Sequence, residues 1–219
     1  MDNTMDWCIQ NWMAMHTVAL ISQKGGVSKT TLAVSLAVAA CQDGKAACVF
    51  DIDEQASAAS WGDRRDADPT AIDAQAPRLP KALDKARKAG IELAFIDTPA
   101  GAGQAASIAT ENADLILVPA RPSYADLECL PQTKRLVDLA GKPALALITN
   151  TAPTGQRGVE AKQAAEGMGF AVAETFLSKR VAHQDALGRG EGVTEYEPNG
   201  RAAQDVWGVY GEIHRCLNN

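Results

Sequence analysis

The stretch Gln23-Lys24-Gly25-Gly26-Val27-Ser28-Lys29-Thr30-Thr31 stands between a short apolar run at 17–21 and a longer, Ala-rich apolar run at 32–40. Strand, glycine-bearing turn and helix follow one another here. Two adjacent glycines let the backbone curl with its N–H groups pointing inward. A helix beginning near Lys29 adds the positive end of its dipole, so the turn from Lys24 to Thr31 is shaped for a polyphosphate. In such a loop Lys29 reaches the β- and γ-phosphates, and the Thr30 hydroxyl takes a Mg2+ position. The general pattern G-x-x-x-x-G-K-[ST] is not met, because Gln23 and Ser28 occupy its glycine positions. The stretch fits the narrower pattern K-G-G-x-x-K-[ST]-[ST], with a second lysine, Lys24, ahead of Gly25 and Gly26. A β-carbon on Ser28 sets an expectation of negative φ at that residue.

Five further stretches extend the reading. The buried-strand candidate 45–50 ends in Asp51-Ile52-Asp53-Glu54-Gln55. Carboxylates at the carboxyl end of a parallel strand lie on the rim where open α/β sheets bind ligands, and period 2 puts Asp51 and Asp53 on one side. The alternative is a solvated strand end capping the next helix. The strand candidate 91–96 ends in Asp97-Thr98-Pro99-Ala100-Gly101, where a strand-terminal Asp is placed to hold Mg2+ through its water shell. Gly101 and Gly103 beyond it make a mobile loop. A fourth strand, 114–119, runs into Val118-Pro119-Ala120-Arg121-Pro122-Ser123. There Arg121 is either a phosphate contact or an exposed structural arginine. The strand 143–149 ends at Asn150, whose amide offers a donor and an acceptor together, as the edge of adenine requires; capping the following loop is its other possible use. The segment 180–196 carries Arg180, Ala186, Gly190, Val193, Glu195 and Tyr196 at set intervals.

In combination, these motifs resemble the deviant-Walker-A ATPases of the ParA/MinD family of P-loop NTPases, closest to short ParA-type (ParF-like) partition ATPases. The resemblance runs from about His16 to the end. It implies an α/β fold with a twisted, mostly parallel sheet of about seven or eight strands and helices on both faces. It also implies one ATPase domain over 16–219, preceded by a poorly ordered extension over 1–15. Lys24, Lys29 and Asp53 are then the catalytic set. Gly25 through Thr31 and Asn150 bind ATP or ADP, while Thr30, Asp53 and Asp97 hold Mg2+. The resemblance further implies that Lys24 crosses a two-fold interface to the partner's phosphates, so that ATP creates a sandwich homodimer with weak intrinsic hydrolysis. The dimer would bind DNA without sequence preference, with Lys179, Arg180, Arg189 and Arg201 as candidate contacts. A ParB-like adaptor would stimulate hydrolysis, and the cycle would drive segregation of plasmid or chromosomal DNA on the nucleoid in a bacterial cytoplasm. The alternative is a relative that positions a protein cargo, such as a carboxysome or chemoreceptor cluster, and more remotely a MinD-like membrane switch. Glu54 stands where the family's D-x-D-x-Q element usually has proline.

Composition narrows the rest. The net charge of -6 and pI of about 5.1 argue against a surface that binds nucleic acid or anionic membrane throughout. Five scattered cysteines without a C-x-x-C fit a reducing cytosol, not a disulfide framework or zinc site. They also supply no cysteine between 97 and 104 for an iron–sulfur cluster. No apolar run approaches the ~20 residues of a membrane span, and residues 1–15 lack the pattern of a signal peptide. The last helix, expected over 201–217, contains Gly208 and Gly211 and little positive charge, which disfavours membrane docking. Helices are further expected over 55–65, 79–89, 104–112, 124–140 and 156–168. Strands are expected over 70–73 and 171–176. Lys81, Lys85, Arg87 and Lys88 on the helix 79–89 read as a solvated face.

Overall fold

The computed structural model describes residues 15–101, 103–152 and 154–218. The extension expected over 1–15 therefore lies outside the described residues up to position 14. Met15 itself is buried, 4% exposed, and belongs to the core.

Eight strands form the sheet: β1 (His16–Leu20), β2 (Ala47–Asp51), β3 (Thr70–Asp73), β4 (Leu93–Asp97), β5 (Leu115–Ala120), β6 (Ala144–Thr151), β7 (Ala171–Val172) and β8 (Leu177–Ser178). Their order is β3-β2-β4-β1-β5-β6-β7, with β8 also on β6, and every pairing is parallel. The central strands β2, β4 and β5 are buried along their whole length and apolar up to the terminal Asp51 and Asp97, because both faces are covered. Register aligns Leu20 with Asp97 and Asp97 with Asp51, so β1, β2 and β4 end level with one another.

The helices are α1 (Lys29–Gln42), α2 (Ser57–Gly62), α3 (Leu79–Lys88), α4 (Gln104–Glu111), α5 (Tyr124–Leu127), α6 (Leu130–Ala140), α7 (Arg157–Gly167), α8 (Val181–Gly188), α9 (Val193–Tyr196) and α10 (Arg201–Leu217). One face of the sheet packs on α1, α2, α8, α9 and α10, and the other on α3, α4, α6 and α7. Helix α1 shows no polar stripe. Residues 32–40 are all buried because the sheet lies on one side and α9 and α10 on the other.

Departures from the sequence expectations have local causes. The helix expected over 55–65 is only α2, because a turn closed by the Ala56 N–H on the Asp53 carbonyl occupies 53–56 and Ala56 is left-handed at φ 48°. The helix 124–140 divides into α5 and α6 at Glu128-Cys129, and Pro131 takes the first turn of the second helix, where a missing N–H costs nothing. Of the strand expected over 171–176 only β7 forms, and β8 follows beyond it at Leu177–Ser178. Between them the N–H groups of Glu174 and Thr175 donate at 2.8 and 2.9 Å to the buried Glu212 carboxylate of α10 instead of to a strand. Helix α8, from Val181 to Gly188, was not anticipated. Helix α9 was not anticipated; the Gly192 N–H donates to Glu195 Oε2 at 2.8 Å and starts it.

Candidate functional site

Five segments meet at the carboxyl ends of the strands. The loop from β1 to α1 is tied down from β6: Thr149 Oγ1 donates to the Val27 carbonyl at 3.1 Å, and Asn150 Nδ2 donates to the Gly26 carbonyl at 3.2 Å. Gly26 has φ 72°, as its turn requires. Ser28 is left-handed as well, with φ 74° and ψ 27°, which overturns the expectation of negative φ. The loop has to turn twice in the same sense to bring its N–H groups round before α1 starts, and this outweighs the modest penalty of a serine β-carbon in that region. Ser28 Oγ lies 3.5 Å from Asn150 Oδ1, and the Ser28 carbonyl opens α1 by accepting from the Leu32 N–H at 2.9 Å.

Lys29 is buried, 8% exposed, at the first turn of α1. Burial lowers its ammonium below the usual lysine value, against the pull of Asp97 and Asp53. Asp97, 1% exposed, is lifted to about 7 by burial and by the neighbouring Asp51 and Asp53, against the Thr30 hydrogen bond and the Lys29 charge. Thr30 Oγ1 donates to Asp97 Oδ2 at 2.6 Å. Among the described residues, buried Asp97 Oδ1 and Gln23 Nε2 have no hydrogen-bond partner. An orphaned carboxylate oxygen beside a threonine hydroxyl and a lysine fits a hydrated divalent cation next to an anion.

The two acids after β2 take different tasks. Asp51 is fully buried and its carboxylate accepts from the N–H groups of Asp53, Ala58 and Ala59 at 3.1, 2.7 and 3.0 Å. It therefore anchors the loop and the first turn of α2. Asp53 is half-buried on the Lys29 side; its carboxylate accepts only the Gln55 N–H, at 3.0 Å, among the described residues. Lys24 is half-buried in the loop, and its ammonium has no partner among the described residues.

Asn150 sits at φ 53° and lines a recess of about 580 Å3 together with Arg121, Thr154 and Arg157. Arg121 is held by an ion pair to the buried Asp126 at 3.1 Å and lies beside Gly26. The threonines Thr98 and Thr149 bear on the site without having been singled out from sequence: Thr98 Oγ1 donates to the Leu20 carbonyl at 2.6 Å, fixing the start of the loop. The only signal either carried was a hydroxyl residue at a strand end.

The remaining candidates lie away from this cluster. Lys179 and Arg201 are exposed without a side-chain partner among the described residues, Arg189 stacks on Tyr196 at 4.9 Å, and Arg180 faces Asp205 at 3.8 Å. The segment 190–196 packs against α2. Arg65 forks onto Glu195 at 2.8 and 2.9 Å and covers the Trp61 ring, while Trp61 Nε1 donates to the Glu191 carbonyl at 3.1 Å. Gly190 and Gly192 permit the fit; a β-carbon at Gly190 would stand 2.6 Å from the Arg64 carbonyl oxygen, and one at Gly192 2.7 Å from Val38.

A phosphate-shaped loop opening a buried helix, with a buried Asp and a Thr–Lys pair level with it on a parallel sheet, defines a P-loop nucleotide-binding protein. Residues 18–199 match the CobQ/CobB/MinD/ParA nucleotide binding domain, and the chain belongs to that family. It is 32% identical over 207 residues to maintenance of carboxysome distribution protein A of Gloeobacter kilaueensis, covering 93% of this chain and 94% of that one. Its fold is that of the septum site-determining protein MinD of Pyrococcus horikoshii, solved with Mg-ADP (TM-score 0.77, 18% identity, 91% of this chain and 96% of that one). A Cyanothece McdA–ATP complex is similar too (TM-score 0.76, 15% identity, 93% and 96%).

Proposed function

We propose that this chain is a ParA-type ATPase that binds ATP with Mg2+, pairs through its nucleotide face into a sandwich dimer, hydrolyses ATP slowly to ADP and phosphate, and uses the cycle to position a cargo. The observation that carries the reading is Lys24: a lysine ahead of the two glycines, with no partner in its own chain among the described residues, beside a complete Lys29, Thr30 and Asp97 cluster. In this reading Thr30, Asp53 and Asp97 hold the cation. Mg2+ supplies charge neutralisation on the transferring phosphoryl group. The backbone of 25–31 cradles the phosphates, Lys29 draws charge from the β- and γ-oxygens, and Asp53 orients the attacking water. Asn150 releases its hold on Gly26 or shares it to read the base. Lys24 meets the partner's phosphates and links dimerisation to the triphosphate. Lys24→Ala is expected to remain monomeric by light scattering with ATP and Mg2+ where the wild-type protein dimerises; an ATP-dependent Lys24→Ala dimer sinks the cross-interface role.

For the cargo, the 32% likeness to a carboxysome distribution protein supports a protein assembly, with an adaptor on the cargo that stimulates hydrolysis and the nucleoid as track. Segregation of plasmid or chromosomal DNA through a ParB-like adaptor is the second reading. Either use needs non-specific DNA binding; of its four candidate contacts Lys179 and Arg201 are exposed and free of a side-chain partner among the described residues, and Arg180 and Arg189 are partnered. Binding through phosphates must weaken steeply with salt, so a gel shift that is absent, or indifferent to salt, rejects it. Among the described residues no helix is long and apolar enough to cross a membrane, and sedimentation with liposomes and ATP is expected to leave the protein in the supernatant. Deleting the gene separates the two cargo readings: scattered protein assemblies support the first, plasmid loss with assemblies correctly placed supports the second.

A further inference from the structure

On the face away from α1, the sheet of the described residues ends at β3, which among them hydrogen-bonds to β2 alone. Helix α3 covers the inner part of this face through Leu79, Leu83 and Ala86 but stops short of the margin. The result is a recess of about 810 Å3 between α3 and β3. Its floor is apolar, made by Phe50, Ile72, Ala82 and Ala86, with Ile72 38% exposed. Its rim carries Arg78, Lys81 and Lys85, all exposed and, among the described residues, without an ion-pair partner; Arg87 next to them is paired with Asp84. Positions 78, 81 and 85 fall on one helical stripe about 10 Å long, close to the ~13 Å of a four-residue strand such as β3. The basic run that reads as a solvated face in the sequence is thus one wall of a concave site. The nucleotide site lies elsewhere and uses none of these residues.

Three unpaired cations concentrated on a chain of net charge -6 ask for an anionic ligand. The apolar floor and the open strand edge ask for side chains to cover Ile72 and for a backbone to pair with β3. A nucleic-acid backbone would meet the cations but leave the floor uncovered and face Asp73, which also lines the recess. We propose that the recess docks an extended acidic segment of a partner protein, about four residues of it in contact, with aliphatic or aromatic side chains set among its carboxylates.

The test is a selection of random decapeptides displayed on phage against the full chain, counter-selected on Lys81→Glu/Lys85→Glu. These positions are exposed on α3, so the double variant is expected to keep the wild-type melting temperature and ATPase rate. Enriched sequences should combine Asp and Glu with Leu, Ile, Phe or Trp. As synthetic labelled peptides they should bind the wild-type protein in fluorescence anisotropy, at least about tenfold less tightly to the double variant and to Ile72→Ser, and less tightly as salt rises. No enrichment, enrichment of peptides without acids, or equal binding to wild type and variants overturns the proposal. A short DNA duplex run in parallel supplies the other arm: loss of DNA binding by the double variant without any peptide selected makes the recess a nucleic-acid surface and overturns it as well.

Discussion

Asp97→Asn is expected to make the nucleotide-free protein more stable while removing its response to Mg-ATP. Burial lifts the Asp97 carboxyl from 3.8 to about 7. At about 1.4 kcal/mol for each tenfold in proton affinity, keeping the carboxylate ionised above pH 7 costs the fold about 4 kcal/mol. The sign follows from proton binding. Between the two values the native state holds more protons than the unfolded chain, so the cost is absent below pH 3.8, grows as pH rises, and is complete above about 7. Asparagine removes this penalty and still accepts from Thr30 Oγ1. Its Nδ2 inherits the unpartnered place of Oδ1, which returns about 1–3 kcal/mol. The net gain at pH 8 is about 2 kcal/mol, or roughly 4–8 °C in Tm for a chain of this size. Thermal unfolding of both proteins in EDTA from pH 5 to 8 checks it, with the advantage of the variant growing with pH. Adding Mg-ATP is expected to raise the Tm of the wild type alone. A difference that is flat across this pH range, or a variant less stable at pH 8, refutes the reasoning.

Substitutions at three other positions probe the site and its support. Ser28→Gly relieves a β-carbon at φ 74° but loosens the unfolded chain, so it should leave stability within about 0.5 kcal/mol, whereas Ser28→Val should cost more than about 1 kcal/mol in urea unfolding. A large loss in Ser28→Gly would instead assign the stability to the contact with Asn150. Arg65→Ala uncovers Trp61 and leaves Glu195 unpaired, with an expected cost of about 2–4 kcal/mol and a shift in tryptophan emission. Burial works to raise the Glu195 carboxyl, but the Arg65 and Gly192 hydrogen bonds hold it below its ordinary 4.5. Its contribution is therefore present above pH 4.5 and lost as pH falls through the depressed value, and the wild-type-minus-Arg65→Ala difference measured by chemical unfolding should shrink over that range. Gly190→Ala forces a β-carbon to 2.6 Å from a carbonyl oxygen at φ 74°, and a cost of about 3 kcal/mol or more should show as poor soluble yield or a lowered Tm.

The parts of this fold that are local in origin were readable from sequence. The loop 23–31 announces itself by residue type, β3 and α10 match their expected spans, and the strand-terminal Asp97 and Asn150 do arrive at the loop. What escaped is decided by partners far along the chain. Nothing near Ser28 says that Asn150 will lie against it, 122 positions away, in a turn that needs a left-handed residue. Asp51 and Asp53 look equivalent as letters; only the arrival of the Ala58 and Ala59 N–H groups commits one to anchoring and leaves the other facing Lys29. The matches at Gly190 and Glu195 are explained by contacts with Arg64 and Arg65, a packing joint that sequence spacing cannot distinguish from a ligand-binding one.

Helix α1 carries a mechanical implication. It runs about 21 Å from the loop, where Ser28 and Lys29 sit, to Asp43, which accepts the Tyr210 hydroxyl of α10 at 3.0 Å. Enclosed along its length and lined mostly by alanine and valine, it has no room to bend and little side-chain slack to absorb displacement. A helix so packed is expected to move as one rigid piece, so that a displacement of the loop would reach α10. Trp207, 37% exposed on α10 and meeting Tyr210 edge-on at 5.8 Å, rides at the far end of that piece. The back of the molecule thereby carries a built-in optical gauge of what happens at the front.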